Sequence, residues 1–441
     1  MMNTFVDIET LYNGTDNRNI EFLASLYDNE TLLSDSIESL FNKHIDSSEI
    51  NNKRILIKPN WIKHSVKKTD KICLCTHENF ILETVKVILK NKPSSIIIGD
   101  APIQSCKWEL LLSRNFYSTI ERLSRLHSVP IVVKDYRMVT FDPENNKLEK
   151  EKNSLDNYVL FDVGAKSYLE PITDNKKKFR VTCYDPELLA KYHNIGRHKY
   201  CIIKDIFDCD TIITLPKIKT HQKSGITNSL KILVGINGDK SYLPHHRMGP
   251  IEKGGDCYPG YSPLRDVSEL FLDKANVNIG KKKYKLYNFI SIILWKLSLP
   301  NQEQTLAAGW YGNDTIWRTV FDLNLIALFG KKDGTLSDKP QRIIYSLCDG
   351  IIGGQGDGPL NPIPLPLGII TLTNNAYLMD IIIGYIFRLS IDKIPLLREA
   401  QKLLNGCMYS IYLNGEQISI EEINNIALDV IMPRGWTNYN K

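Results

Sequence analysis

Apolar residues in this chain follow two spacings: short unbroken runs that fit buried strands, and longer i, i+3/i+4 patterns that fit helices. Residues 54–57 form the first short run, and 95–99, 129–133, 200–203, 212–215, 343–347 and 368–372 repeat it. Helical stripes separate the first three runs. One comprises Phe80, Ile81, Val85, Ile88 and Leu89, with Thr76 placed to cap it, and the other Leu112, Phe116, Ile120 and Leu123. Strand, helix, strand, helix, strand predicts an α/β fold with a mostly parallel, doubly wound sheet, helices on both faces and right-handed crossovers.

Residues 1–52 carry Phe22, Leu23, Leu26, Leu32, Leu33, Ile37, Leu40 and Phe41 at loosely helical spacing, which predicts a helical lead-in. Residues 53–441 then read as a single compound domain with two excursions. The first, 137–198, is charged and weakly periodic, with short strands near 158–163 and 180–183. The second, 271–339, is mainly helical and gathers Trp310, Tyr311, Asn313, Asp314, Trp317 and Arg318. That gathering fits a binding wall and a packed helix with an internal ion pair about equally well.

Polar residues cluster where the strands stop. Lys58 and Asn60 follow the first run, and Asp100 ends the next. The run 212–215 is halted by Pro216, which has no ladder donor. If the chain stays extended past it, Lys217, Lys219 and His221 point to one side. Ile226, Leu230, Leu233 and Val234 then form a helical stripe with Thr227, Asn228 and Lys231 opposite, and Gly235 suits a helix end. Asp349 follows 343–347 and leads into glycines at 350, 353, 354, 356 and 358. Glycine-rich turns let backbone amides approach an anion, although this spacing is neither a Walker loop nor a dinucleotide fingerprint. Glycines accommodating a tight turn explain it as well.

The strings LPKIKTH, TNSLKILVG, DKSYLPHHR and GGDCYP, with IKPNW at 57–61, GNDTIWRT at 312–319 and DGIIGGQGDGP at 349–359, resemble the family called domain of unknown function 362. The resemblance spreads over most of the chain and implies relatives rather than a reaction. Some relatives look fused to ferredoxin-like modules with closely spaced cysteines. This chain has no such run, so no iron–sulfur cluster carries over and the cofactor stays unknown.

At 441 residues, 43% hydrophobic and 24% charged, the chain has an ordinary globular balance, and its net charge of +5 does not by itself argue for nucleic acid. Nine cysteines without paired spacing read as reduced thiols. The first residues lack a signal-peptide pattern. The most apolar window, 289–299, is broken by Lys296 and is shorter than the about twenty residues a bilayer needs. A cytoplasmic protein without a membrane partner is expected.

In an open parallel sheet, ligands sit beyond the carboxyl ends of the strands, so the four polar clusters should converge there. The expectation is an enzyme acting on a small anionic metabolite, phosphorylated or carboxylated, by acid–base or redox chemistry. Lys58, Asn60, Lys217, Lys219, Asn228, Lys231, Arg247 and the amides of Gly353, Gly354 and Gly356 would hold the anion. His221, His245, His246 and Asp349 would be catalytic, since imidazole titrates near neutral pH. No metal site is assigned: His221, His245, His246, Asp239 and Asp256 have ligand chemistry, but no HExxH or CxxC spacing exists and lysines surround them. The alternative is a non-catalytic module for phosphorylated ligands or nucleic acid.

Overall fold

The computed structural model describes residues 4–12, 18–65, 68–182, 184–298 and 307–436. A mixed, mostly parallel sheet of eleven strands lies at its centre. In chain order these are β1 (Thr4–Thr10), β2 (Arg54–Pro59), β3 (Ser95–Asp100), β4 (Ile131–Asp135), β5 (Thr211–Leu215), β6 (Lys217–His221), β7 (Gly225–Thr227), β8 (Ile343–Gln355), β9 (Ile363–Thr373), β10 (Tyr409–Leu413) and β11 (Glu416–Ile418). Strands β4, β3, β2, β5 and β8 lie side by side in that order, each pair parallel. The chain winds outward from β2 through β3 and β4, then returns to the other side of β2 with β5 and β8. That reversal makes the boundary between β2 and β5 the topological switch point of the sheet. Beyond β8 the sheet continues through β9 and β1, both joined antiparallel, then through β10 parallel to β1 and β11 at the edge.

Helices cover both faces. Glu30–His44, Glu78–Lys90 and Arg114–His127 pack on one face, and Ile316–Phe329, Ala376–Ile386 and Pro395–Leu404 on the other. The pleat divides β9 between them: Ile370 and Leu372 enter the first core, Leu367 and Ile369 the second. His77, not Thr76, caps helix Glu78–Lys90, its Nδ1 accepting from the Asn79 amide at 3.2 Å. Thr76 instead donates to the Leu215 carbonyl at 2.6 Å and accepts from the Asn60 amide at 2.9 Å, tying the ends of β2 and β5 together.

Three segments depart from the periodicity reading. The supposed helical lead-in begins with a strand, β1, set between β9 and β10. Its acids disguised it: Asp7 is buried inside the sheet because Lys43 and His44 of the next long helix meet its carboxylate at 2.8 and 2.6 Å. The expected helix from Ile226 is absent. Gly225, at φ +80°, turns the chain so that β7 pairs back antiparallel on β6, and only Lys231–Ile236 coils, as a 3₁₀ helix. Backbone pairing with β6 overrides the apolar stripe. Finally, the glycine run from 350 to 354 is strand, not loop, because β8 extends past its core partners to pair with both β6 and β9.

The first excursion folds into small pieces. Tyr158–Asp162 pairs with Arg197–Ile203, which removes the 200–203 run from the central sheet, and Phe179–Arg180 pairs with His246–Arg247. Cys183, expected in a strand, lies outside the described residues. The second excursion is helical, with helices Pro263–Val277, Lys283–Leu297 and Ile316–Phe329. Its aromatic cluster is a packed one: Arg318 meets Asp314 at 3.2 Å and the Trp317 indole donates to Asp314 at 2.9 Å. Among the described residues no cysteine is in a disulfide, and no helix is long and apolar enough to cross a membrane.

Candidate active site

A cavity of about 320 Å³ lies beyond the carboxyl ends of β2 and β3. Strand ends build its floor: Lys58 and Asn60 from β2, Asp100 from β3, and His221 and Gln222 from the end of β6. Lys223 and Thr227 come from the β6–β7 hairpin, Lys231 and Gly235 from the 3₁₀ turn, and Lys240 and His245 from the loop after it. Val181, Thr182 and Tyr184 of the first excursion close one side, which gives that excursion a role the sequence did not suggest.

Four lysines therefore face one small volume, and Asp100 is the one carboxylate among its described lining residues. Asp100 is already committed. It meets Lys58 at 2.8 Å and accepts from the Trp61 amide at 2.7 Å and the Ala101 amide at 2.7 Å. Gly235 permits this arrangement, since a Cβ there would come within 1.9 Å of Asp100 Oδ1 and 2.5 Å of Lys58 Nζ. Lys240 donates to the Ala101 carbonyl at 2.9 Å. The charges that act on Lys231 are those of Lys240, Lys219 and Lys223, and no carboxylate among the described residues pairs with it.

Burial and this crowding act in the same direction. The Lys231 ammonium is pushed down to about 7 by burial and then by Lys240, Lys219 and Lys223. Burial likewise brings Lys240 down to about 8, with Asp100 opposing, and Lys219 down to about 8. Lys58 is lowered by burial in spite of Asp100. His221 is held well below the usual imidazole value by burial, with Lys231 and Lys219 adding to it. Its Nδ1 accepts from the Lys223 and Ser224 amides at 3.0 and 3.3 Å, which leaves Nε2–H as a donor. His245 takes the opposite tautomer, with Nδ1 donating to the Leu243 carbonyl at 2.7 Å. His221 is thus a neutral hydrogen-bond donor, and Lys231 is the cavity group whose proton is exchangeable near neutral pH.

Of the residues expected from the sequence to bind the anion or act in catalysis, Lys58, Asn60, His221, Lys231 and His245 border this cavity, as does Asp100 of the second polar cluster. The others do not. Lys217 and Asp349 form a fully buried pair at 2.9 Å, bridged by the Tyr27 hydroxyl, which lies 2.8 Å from Lys217 Nζ and donates to Asp349 at 2.5 Å. Lys219 is buried and donates to the Leu74 carbonyl at 2.7 Å. Asn228 is buried beside Asp380 and Cys348. Arg247 lies 3.5 Å from Asp256, and His246 is buried next to Cys257 and Glu269. Gly353 and Gly354 lie inside β8, pressed against Leu367 and Lys219, and Gly356 is in the turn after it. No phosphate loop forms there, because these glycines serve close strand packing. Sequence reasoning passed over Lys223, Lys240 and Gln104. Lys223 and Lys240 do fall in the same lysine-rich span as Lys231, which was the available signal.

A mostly parallel α/β sheet with a lysine-lined cavity beyond the carboxyl ends of two of its parallel strands defines the class of protein. The chain belongs to the family described as domain of unknown function 362, whose sequence profile matches residues 162–383, half of its length. The matched region carries His221, Lys223, Lys231, Lys240 and His245, whereas Lys58, Asn60 and Asp100 lie before it. No curated protein matches the chain. Among solved structures, a structural-genomics protein from Thermotoga maritima is similar at 10% identity and a TM-score of 0.34, over 76% of this chain. The chain spans 53% of the length of that protein.

Proposed function

We propose that the protein is an enzyme acting on a small phosphorylated or carboxylated metabolite held in this cavity, with Lys231 moving a proton to or from it. The observation that carries the reading is the charge imbalance: four lysines line a volume whose carboxylate is already paired. An anion would neutralise the excess, and Lys58, Lys223 and Lys240 would fix it as point charges. The volume suits a small molecule. Lys231, at about 7, is matched to general acid–base work at neutral pH, and the His221 Nε2–H can donate to a developing oxyanion without itself titrating. A concave cavity, rather than an open groove with stacked aromatics, favours this over a nucleic-acid module.

The test begins with thermal shift, using inorganic phosphate, pyrophosphate and citrate as probes and then libraries of phosphorylated and carboxylated metabolites. Lys240→Met should weaken binding roughly ten- to a hundredfold, the loss expected for one charge-assisted contact of about 1.5–3 kcal/mol. Once a substrate is found, Lys231→Met should lower kcat about a hundred- to ten-thousandfold, whereas Lys240→Met should act mainly on KM. Anion stabilisation that survives both substitutions together would end the reading.

A further inference from the structure

A second cluster lies outside the cavity. His246 comes from the short strand His246–Arg247, Cys257 from the loop that follows, and Glu269 from helix Pro263–Val277. All three are buried, and one ligand atom from each (an imidazole nitrogen, the thiol sulfur and a carboxylate oxygen) lies within 4.8 Å of the others. Atoms this close need only small side-chain adjustments to share a central ion at the about 2.0–2.3 Å that zinc makes with nitrogen, sulfur and oxygen. The second observation is independent of that spacing. His246 is 2% exposed, and its Nδ1 is buried with no hydrogen-bond partner among the described residues. A buried polar atom left without a partner normally costs about 1–3 kcal/mol, so its presence calls for an acceptor, a donor or a metal.

We propose that His246, Cys257 and Glu269 form a binding site for one divalent transition-metal ion, with zinc as the best match, that ties the 245–258 loop to helix Pro263–Val277 behind the cavity wall. The donor set is of mixed softness, which suits zinc and disfavours magnesium or calcium. Thiolate and carboxylate together carry two negative charges and would balance the ion. Binding displaces the thiol proton: the sulfur–hydrogen bond breaks, the sulfur–metal bond forms and the proton leaves to solvent. The positive neighbours are partly answered, since Arg180 is held by Asp273 at 2.9 Å and Arg247 lies against Asp256 at 3.5 Å. The backbone is set in place as well. Glu269 accepts from the Gly249 amide at 2.9 Å, and the Cys257 amide donates to the Gly249 carbonyl at 3.1 Å. Lys223, which lines the cavity, is close enough to both His246 and Cys257 to affect their charge, so the ion would stiffen the wall from which Lys223 and His245 face the ligand. The inference stands apart from the anion-binding reading, because its readouts involve neither anions nor turnover.

The experiment measures metal in the purified full-length chain by elemental mass spectrometry, then removes it with a chelator and titrates cobalt(II) while recording absorption. A single equivalent is expected, with a thiolate-to-cobalt charge-transfer band and intense d–d bands of a four-coordinate ion. Cys257→Ser should abolish the charge-transfer band with circular dichroism unchanged, and zinc should raise Tm in the wild type but not in Glu269→Gln. A folded wild type that takes up neither zinc nor cobalt would overturn the proposal, and so would a charge-transfer band that persists in Cys257→Ser. If Cys257→Ser does not fold, Glu269→Gln decides alone: undiminished stoichiometry and an undiminished zinc-induced rise in Tm in that variant would also overturn it.

Discussion

Lys217 has the sequence context of a ligand-binding cation and the surroundings of a structural one. Its ammonium is fully buried between Asp349 and the Tyr27 hydroxyl, and Asp349 also accepts from the His77 amide at 3.0 Å. Taking one partner from such a pair strands a charge in the interior. Lys217→Ala should therefore cost about 3–5 kcal/mol in urea unfolding, and the double replacement Lys217→Met with Asp349→Leu should recover part of that loss. Anion affinity measured on the folded fraction of Lys217→Ala should stay close to wild type, which separates it from Lys240→Met. His221 illustrates the same rule in another form. Two backbone amides decide which of its nitrogens holds the proton, and no property of the residue type could have indicated that.

At the scale of elements, the glycines of β8 and the glycine of the 3₁₀ turn make opposite predictions. A Cβ on Gly353 would come within 2.5 Å of Leu367 Cδ1 and 3.0 Å of the Ile218 carbonyl, both parts of the sheet packing. Gly353→Ala should lower stability by about 1–3 kcal/mol, the usual cost of overpacking, and leave anion affinity unchanged. A phosphate-cradling loop would show the reverse. In contrast, a Cβ on Gly235 meets Asp100 and Lys58 themselves, so Gly235→Ala should displace that pair and weaken anion binding in the thermal-shift assay. The β6–β7 hairpin explains why the lysines converge at all. By folding back on β6 it brings Lys231 over the ends of β2 and β3 beside Lys223 of the turn, where a straight helix from Ile226 would have carried Lys231 away.

Across the whole molecule, three lysines whose ammonium groups are held down by burial couple folding to pH. The unfolded chain keeps each lysine proton to about 10.4, whereas the folded protein releases those of Lys231, Lys219 and Lys240 near about 7, 8 and 8. Between those values the unfolded state binds more protons, so stability rises with pH. The electrostatic penalty is fully present below about 7 and is progressively relieved on the way to about 10. The Tm of the ligand-free protein, corrected with a Lys231→Met control for groups elsewhere, should climb from pH 6.5 to pH 9 through this contribution. Stabilisation by phosphate should shrink over the same interval, because the anion needs the ammonium form. A flat difference between wild type and control would mean that Lys231 is not titrating as its surroundings require.

The strand–helix alternation from Arg54 to Asp135 was legible because each element buries one face, and burial leaves a period in the sequence: about 3.6 for helices, unbroken apolar runs for central strands. The placement of Lys58, Asn60 and Asp100 at strand ends was legible for the same reason. Strand ends in a parallel sheet face one edge, and polar residues directly after an apolar run mark that edge. Tertiary structure alone decided which of the lysines meet in a cavity and which are buried in pairs, because Lys217, Lys219 and Lys231 have the same side chain and differ only in what comes to lie opposite. Tyr27 and Asp349 reach Lys217 from distant parts of the chain, Leu74 offers its carbonyl to Lys219, and nothing among the described residues pairs with Lys231. Long-range pairing also turned β1 and the glycine run of β8 into strands against their local patterns, and the hairpin back onto β6 did the same for β7. A backbone ladder is formed with a partner far along the chain, and its hydrogen bonds leave no period in the residues that make them.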